Sequence, residues 1–167
     1  MRVAGELLSL ELPLVGEHNA HNAAAAVAAA WALGIPVENI AEDISSVVLP
    51  GGRLRLADGE IPGTVVVDDT YNANPDSMRA AFSVLASMRA GRRIAVLGDM
   101  LELGAEAESL HYEVGKSAAS SGVARVLVLG ELASATVEGA REGGADAMAY
   151  ESWEHLVADL RSDLRAG

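Results

Sequence analysis

Apolar and polar residues follow one another along the last two thirds of the chain in a pattern of short strands and helices. Short apolar runs predict strands at residues 65–68, 93–97, 125–129 and 145–149. A stripe of apolar residues at helical spacing follows the first run, with Met78, Phe82 and Leu85 on one face. Similar stripes predict helices at about residues 105–121, 131–142 and 153–164. Four strand–helix units in series predict an α/β fold with a mostly parallel sheet flanked by helices.

The first 49 residues follow a different pattern. Loose alternation of leucines predicts a strand or hairpin within residues 1–15, and an alanine-dominated helix then runs from about Glu17 to Gly34. A second, short helix is predicted at residues 37–46. The strongest break, Pro50-Gly51-Gly52, predicts a domain boundary between residues 1–49 and 50–167. The last helix is followed by no strand where one is expected, so we expect the chain to be part of a longer protein.

The amino-acid composition argues against several classes of function. The chain has 167 residues, half of them hydrophobic, which suits a folded core and argues against disorder. A net charge of -12 without a basic patch argues against nucleic-acid binding. The absence of cysteine excludes disulfides and thiolate metal sites. The longest apolar run, residues 23–33, is too short to insert into a membrane, and no signal peptide precedes it.

The segment VVVDDTYNANP is the most informative stretch. Its three valines predict a strand that is covered on both faces. Asp69, Tyr71 and Asn72 then follow at the carboxyl end of a strand, which is where α/β sheets bind ligands. Asp68 and Asp69 point to opposite sides if both lie on the strand, so at most one faces a given ligand. An ordinary strand-to-helix turn also favours Asp and Asn, and this segment alone leaves both interpretations open.

The helix that follows the turn has a start signal of its own. Asn74 before Pro75 is typical of an N-cap followed by proline at the first helical position.

Two asparagines form a second candidate site. Asn19 and Asn22 are three residues apart and share a helix face, where their carboxamides match the donor and acceptor edge of adenine. A helix start that uses Asn as its cap is the alternative. His18 and His21 suggest a metal, but without a clear carboxylate partner we predict no metal site.

Two further residues can serve a site. Arg53 directly follows a flexible glycine pair and can bind phosphate or carboxylate bidentately, although a solvated surface arginine is the commoner case. His111 lies inside a predicted helix and can face a cleft, while a surface or packed histidine is the alternative. The chain contains no dinucleotide fingerprint, phosphate loop or Ser/His/Asp set, and we assign no catalytic residue.

Four motifs taken together resemble the Mur ligase family. In chain order they are GEHNAHNAAAA, PGGR, VVDDTYNANPDSM and VLGDMLELG, the last followed by a His and by Val-Gly. They cover most of the chain, from Gly16 to Gly115. The combination of DDTYNANP with LGDMLELG is most similar to the member that joins D-alanyl-D-alanine to UDP-N-acetylmuramoyl-tripeptide.

The resemblance implies an architecture of three domains. Residues 1–49 would be the helical last part of a central ATP-binding domain, and residues 50–167 most of a C-terminal Rossmann-like domain. The phosphate loop and a UDP-substrate domain would lie upstream, and a Lys-Gly-Ser motif would follow Gly167.

The resemblance also implies ATP-dependent amide formation in peptidoglycan precursor synthesis. The tripeptide carboxylate would attack the γ-phosphate of ATP, and the D-Ala-D-Ala amine would displace phosphate from the acyl phosphate. The expected cofactors are ATP and Mg²⁺, with magnesium ligands mainly outside this chain. The expected enzyme is a monomer in the bacterial cytoplasm that does not bind nucleic acid and does not insert into a membrane. These 167 residues alone are expected to be inactive.

Residue roles follow from the matched motifs. Asn19 and Asn22 would contact adenine, Arg53 the ribose and phosphates, and Asp69 the ribose hydroxyls, for which a carboxylate is a suitable acceptor. His21 departs from the family pattern and is left unassigned. The residues expected in the substrate cleft are Tyr71, Asn72, Asn74 and His111.

Two alternatives stay open. One is a different ligase of the superfamily, of the folate polyglutamate or cyanophycin type, although DDTYNANP argues against it. The other is a non-catalytic Rossmann-like module whose polar loop captures a different ligand.

Overall fold

A computed structural model describes residues 2–3, 6–48 and 50–164. The chain divides into two compact units, Met1–Pro50 and Gly51–Gly167. The helices are α1 (Glu17–Ala32), α2 (Val37–Ser45), α3 (Pro75–Ser87), α4 (Ala107–Ser120), α5 (Ala133–Glu142) and α6 (Trp153–Asp163). The strands are β1 (Arg2–Val3), β2 (Glu6–Leu7), β3 (Arg55–Asp58), β4 (Val65–Asp68), β5 (Ile94–Leu97), β6 (Arg125–Leu129) and β7 (Asp146–Tyr150).

The first unit is a pair of helices with a short antiparallel pair of strands. Val27 of α1 and Ile40 of α2 are its buried centre, and Leu8 and Leu10 pack against them. The predicted strand or hairpin within residues 1–15 is confirmed as the antiparallel pair of β1 and β2, and Leu8 and Leu10, which follow this pair, pack on the helices.

The second unit contains the parallel sheet that the pattern predicts. Strands β5, β6 and β7 lie in that order and pair in parallel, with Ile94 opposite Arg125 and Arg125 opposite Asp146. Each is followed by one of the helices α4, α5 and α6. The predicted fold class is confirmed, and the predicted starts of β5 and β7 differ from the observed ones by one residue.

Strand β4 is not part of the predicted mostly parallel sheet, and this part of the prediction is wrong. It pairs antiparallel with β3 in a separate two-stranded sheet. Val65 and Val66 are 52% and 49% exposed, so the prediction that both faces of this strand are covered is wrong. Strand β3 was not predicted, because its sequence, RLAD, contains no apolar run and all four residues are exposed.

Small aliphatic residues build the core of the second unit. Val126 and Val128 of β6 are fully buried, and Ala118 of α4 and Ala140 of α5 pack in the same cluster. Phe82 of α3 is the aromatic member of this cluster. Among the described residues, none of the helices combines the length and apolar character needed to cross a membrane.

Candidate functional site

A cavity of about 510 Å³ lies between β4, α3 and β5. Its apolar lining comes from these three elements, for example Val67, Phe82 and Val96. Its polar lining comes from the segments that follow β4 and β5, so it lies at the carboxyl ends of both strands, where α/β folds bind ligands. The polar side of the cavity is formed by Asp69, Thr70, Tyr71, Asn72, Gly98 and Asp99.

The two neighbouring aspartates have different environments. Asp69 lines the cavity, and its Oδ1 accepts a hydrogen bond from the Leu54 backbone N–H at 3.0 Å. Asp68 does not line the cavity, and its Oδ1 accepts hydrogen bonds from the Thr70 hydroxyl at 2.7 Å and the Thr70 N–H at 3.3 Å. The Thr70 hydroxyl is the main reason that the pKa of the Asp68 carboxyl lies below its usual value. Of these two aspartates, Asp69 is therefore the one available to a ligand in the cavity.

Arg53 and Tyr71 lie together beside Asp69. The Tyr71 N–H donates to the Gly52 carbonyl at 2.9 Å, and the Arg53 Cζ lies 4.0 Å from the centre of the Tyr71 ring. A Cβ on Gly52 would come within 2.9 Å of the Tyr71 nitrogen, and φ at Gly52 is +76°, so this position requires glycine. The structure thus brings together Arg53, Asp69 and Tyr71, which the sequence separates by up to eighteen residues.

The side chains of the two asparagines of this loop accept hydrogen bonds from backbone N–H groups of residues that follow them. The Asn72 Oδ1 accepts the Ala73 N–H at 2.8 Å, and Asn72 lines the cavity. The Asn74 Oδ1 accepts the Ser77 N–H at 2.9 Å, while the Ser77 hydroxyl accepts the Asn74 N–H at 3.1 Å. This reciprocal pair confirms the predicted N-cap of α3. Asn74 itself does not line the cavity, so its role in a substrate cleft stays a prediction without support from its position.

His111 is placed in the interior, which corrects the expectation that it lines the substrate cleft. Its side chain is 1% exposed. The Nε2 atom accepts the Met100 N–H at 2.9 Å, so Nδ1 carries the proton and donates to the Ala107 carbonyl at 2.7 Å. Both ring nitrogens are therefore used to hold the segment after β5, and the alternative of a packed histidine applies.

Asp99 belongs to the cavity although sequence analysis did not select it. Its carboxylate accepts the Glu131 N–H at 2.7 Å and the Leu132 N–H at 3.2 Å, in the turn after β6. A Cβ on Gly130 would lie 2.1 Å from the Asp99 Oδ1, so the glycine makes room for this carboxylate. The available signal was an acidic residue one position after the glycine that ends a strand.

The first unit holds the asparagine pair. Asn19 is buried, and its Nδ2 donates to the Val15 carbonyl at 2.8 Å, while Asn22 is exposed. The N-cap of α1 is Gly16 with no side-chain hydrogen bond, so the alternative of an Asn cap is wrong. Within the described residues, His18 and His21 are not part of a cluster of three or more possible metal ligands.

Comparison with known proteins then decides the family. A family profile described as Mur ligase, glutamate ligase domain, matches residues 52–167. The chain belongs to the Mur ligase family. It is 42% identical over 140 residues to the UDP-N-acetylmuramoyl-tripeptide--D-alanyl-D-alanine ligase of Escherichia coli K12, an alignment that covers 81% of this chain and 30% of that protein. The predicted resemblance is confirmed.

Solved structures agree with this assignment. MurF from Acinetobacter baumannii superposes with a TM-score of 0.82 at 36% identity, covering 92% of this chain and 32% of that one. A MurF ligase from Thermotoga maritima, solved in complex with ADP, has the same fold at 24% identity, with a TM-score of 0.74 over 98% of this chain and 36% of that one. The chain spans about a third of the length of the relatives it matches.

Proposed function

We propose that this chain is the C-terminal part of an ATP-dependent ligase that adds D-Ala-D-Ala to UDP-N-acetylmuramoyl-tripeptide through an acyl phosphate. The observation that carries the proposal is the pairing of residues 52–54 with 69–71 at the carboxyl end of β4, in which the Asp69 carboxylate accepts the Leu54 N–H and the Arg53 guanidinium lies over the Tyr71 ring. A carboxylate accepts ribose hydroxyls and a guanidinium binds phosphate, so the pair suits a nucleotide. The name of the E. coli relative contains both substrates, UDP-N-acetylmuramoyl-tripeptide and D-alanyl-D-alanine, and this supports their assignment here.

Each residue has a defined task in this proposal. Asp69 accepts the ribose hydroxyls with the oxygen positions left beside its bond to Leu54, and Arg53 pairs with the nucleotide phosphates. In the first unit, which we assign to the central ATP-binding domain, Asn19 and Asn22 are the residues assigned to adenine by the matched motif. Asn22 is exposed, whereas Asn19 is buried and its Nδ2 donates to the Val15 carbonyl. The described residues contain no cluster of three or more possible metal ligands, and we assign no magnesium ligand among them.

The chemistry needs positioning more than covalent help from this chain. Phosphoryl transfer depends mainly on orientation and on stabilising charge, which Arg53 supplies toward the phosphates. Water must be excluded from an acyl phosphate, because hydrolysis would waste it. We place this reaction in the bacterial cytoplasm, where ATP is available, with a monomeric enzyme.

The test of the function is a chimera of the E. coli ligase in which the matched segment is replaced by this chain. Phosphate release is measured with ATP, magnesium and UDP-N-acetylmuramoyl-tripeptide, with D-Ala-D-Ala, L-glutamate or no acceptor. We expect release with D-Ala-D-Ala alone. A folded chimera that binds ATP but releases phosphate with none of these acceptors would favour the non-catalytic binding module. Release with L-glutamate alone would indicate a different ligase of the superfamily.

The nucleotide assignment has its own matched pair of variants. Asp69→Asn keeps an acceptor for the Leu54 N–H but loses the charge and one acceptor for ribose, so ATP binding by the chimera should weaken by about 1–3 kcal/mol. Asp68→Asn is the control, because Asp68 does not line the cavity. Isothermal titration with ATP measures both, and equal affinities for the two variants would remove Asp69 from the site.

A further inference from the structure

Tyr71 is held against Arg53 by its backbone and by its ring. Its N–H donates to the carbonyl of Gly52, the residue before Arg53, and its ring centre lies 4.0 Å from the Arg53 Cζ. Two residues before Tyr71, the Asp69 carboxylate accepts the N–H of Leu54, the residue after Arg53. Arg53 is therefore fixed from both sides by the loop that carries Tyr71.

The guanidinium is positioned but not neutralised. Within the described part of the chain, no carboxylate forms an ion pair with Arg53, whereas Arg79, Arg92, Arg125 and Arg161 all have acidic partners. Stacking on a ring face leaves the in-plane N–H groups of a guanidinium free to donate. An arginine held in this way is ready to bind an anion bidentately.

We propose that Tyr71 is a positioning residue for Arg53 and belongs to the nucleotide side of the site, not to the acceptor-peptide cleft that the resemblance implies. The proposal rests on the proposed function, because Arg53 is assigned there to the nucleotide phosphates. The ring restricts the guanidinium to one orientation before the nucleotide arrives, so less conformational freedom is lost on binding. The aromatic face supplies this restraint, and the hydroxyl takes no part in it.

The first experiment uses the 167-residue chain itself and needs no activity. Proton NMR shifts of the Arg53 side chain report the ring above it. We expect upfield-shifted Arg53 side-chain protons in the natural chain and in Tyr71→Phe, and ordinary shifts in Tyr71→Leu. Tyr71 is 63% exposed, so the substitution to leucine should leave the fold intact, which circular dichroism checks. Identical Arg53 shifts in all three proteins would overturn the proposal.

The second experiment measures ATP Kd and the KM for D-Ala-D-Ala in the chimera described above. Tyr71→Leu should raise the ATP Kd about 2- to 5-fold, the value expected for an exposed cation–π contact, and Tyr71→Phe should restore it. Tyr71→Leu should have no further effect on the ATP Kd when Arg53 is already Gln, because the contact between the ring and the guanidinium is then absent. The KM for D-Ala-D-Ala should stay the same.

Tyr112→Leu is the matched control. Tyr112 is also a tyrosine near a cation, with Lys116 at 5.8 Å, but it lies on α4 and does not line the cavity.

A change in the D-Ala-D-Ala KM without a change in ATP Kd would place Tyr71 in the acceptor cleft and overturn the proposal. A chimera that fails to bind ATP even with the natural residues would instead refute the proposed function, which separates the two failures.

Discussion

Single residues in this protein divide into those that hold the site and those that face it. Asp68 and Asp69 are neighbours in sequence, but Asp68 closes the turn onto Thr70 and Asp69 lines the cavity. His111 looks like a candidate for chemistry in the sequence, yet it is buried with both nitrogens bonded to backbone. Residue type alone therefore does not separate a binding group from a structural one.

His111 should be a stabilising residue. Replacement by Ala leaves the buried Met100 N–H without its acceptor, which typically costs about 1–3 kcal/mol, and adds a cavity. Urea denaturation of the chain measures the loss in the free energy of unfolding. His155→Ala is the control, because His155 is exposed and its side chain forms no recorded bond among the described residues. If both variants are as stable as the natural chain, the Met100 bond has no structural importance.

At the scale of elements, α4 and α5 pack closely through two glycines. A Cβ on Gly115 would lie 2.0 Å from the Thr136 carbonyl oxygen, and one on Gly139 would lie 1.9 Å from the Tyr112 carbonyl oxygen. Backbone thus meets backbone at this crossing, and only glycine permits it. The two helices cover the sheet whose carboxyl end carries Asp99.

Gly139→Ala should therefore destabilise the protein strongly. The added methyl forces α4 and α5 apart, and overpacking of this kind costs about 1–3 kcal/mol or more. Gly91→Ala is the matched control, because nothing lies within 4 Å of its Cβ and its φ lies outside the left-handed region, so it should be neutral or slightly stabilising. Thermal unfolding of the two variants gives the comparison. Equal midpoints would contradict the close helix contact.

At the scale of the whole second unit, a cluster of ion pairs lies at the amino ends of β5 and β6. The cavity lies at the opposite end of the sheet. Arg125, at the start of β6, contacts Asp159 at 2.6 Å and Asp163 at 2.8 Å, and Arg92 contacts Asp163 at 2.6 Å. This cluster ties the end of α6 to the starts of β5 and β6. The end of the sheet that contacts the last turns of α6 is therefore opposite the end that carries the candidate site.

The Asp163 cluster should make stability sensitive to acid. The hydrogen bond from Arg92, followed by the ion pair with Arg125, lowers the pKa of Asp163 below its usual value. A lowered pKa in the folded state gives stability that is complete above the unfolded value of about 3.9 and lost as pH falls through the folded value. Asp163→Asn should reduce stability at pH 7 and flatten its decline below about pH 4.

Urea midpoints between pH 7 and pH 2.5 measure this dependence. Asp76→Asn is the control, because Asp76 is 93% exposed in its pair with Arg79 and should follow the natural chain closely. We expect the curves of the natural chain and Asp163→Asn to converge at the acid end. Parallel curves would show that Asp163 does not contribute through its charge.

Most local features of this protein were predictable from the order of its amino acids. Short apolar runs located β4 and β6, and helical periodicity located the helices, because burial of one helix face leaves its period in the sequence. The Asn74 cap was also predictable, since its partners lie within three residues. The four motifs were enough to identify the family, which the match over residues 52–167 confirms.

The contacts between residues that are distant in the chain became visible in the fold. It separated β4 from the parallel sheet through its pairing with β3, a strand too polar to be recognised. It buried His111 and brought Asp99 to the cavity, because both depend on contacts with segments more than ten residues away. The physical reason is that periodicity and capping reflect neighbours along the chain, whereas strand pairing and polar contacts across the fold reflect neighbours in space.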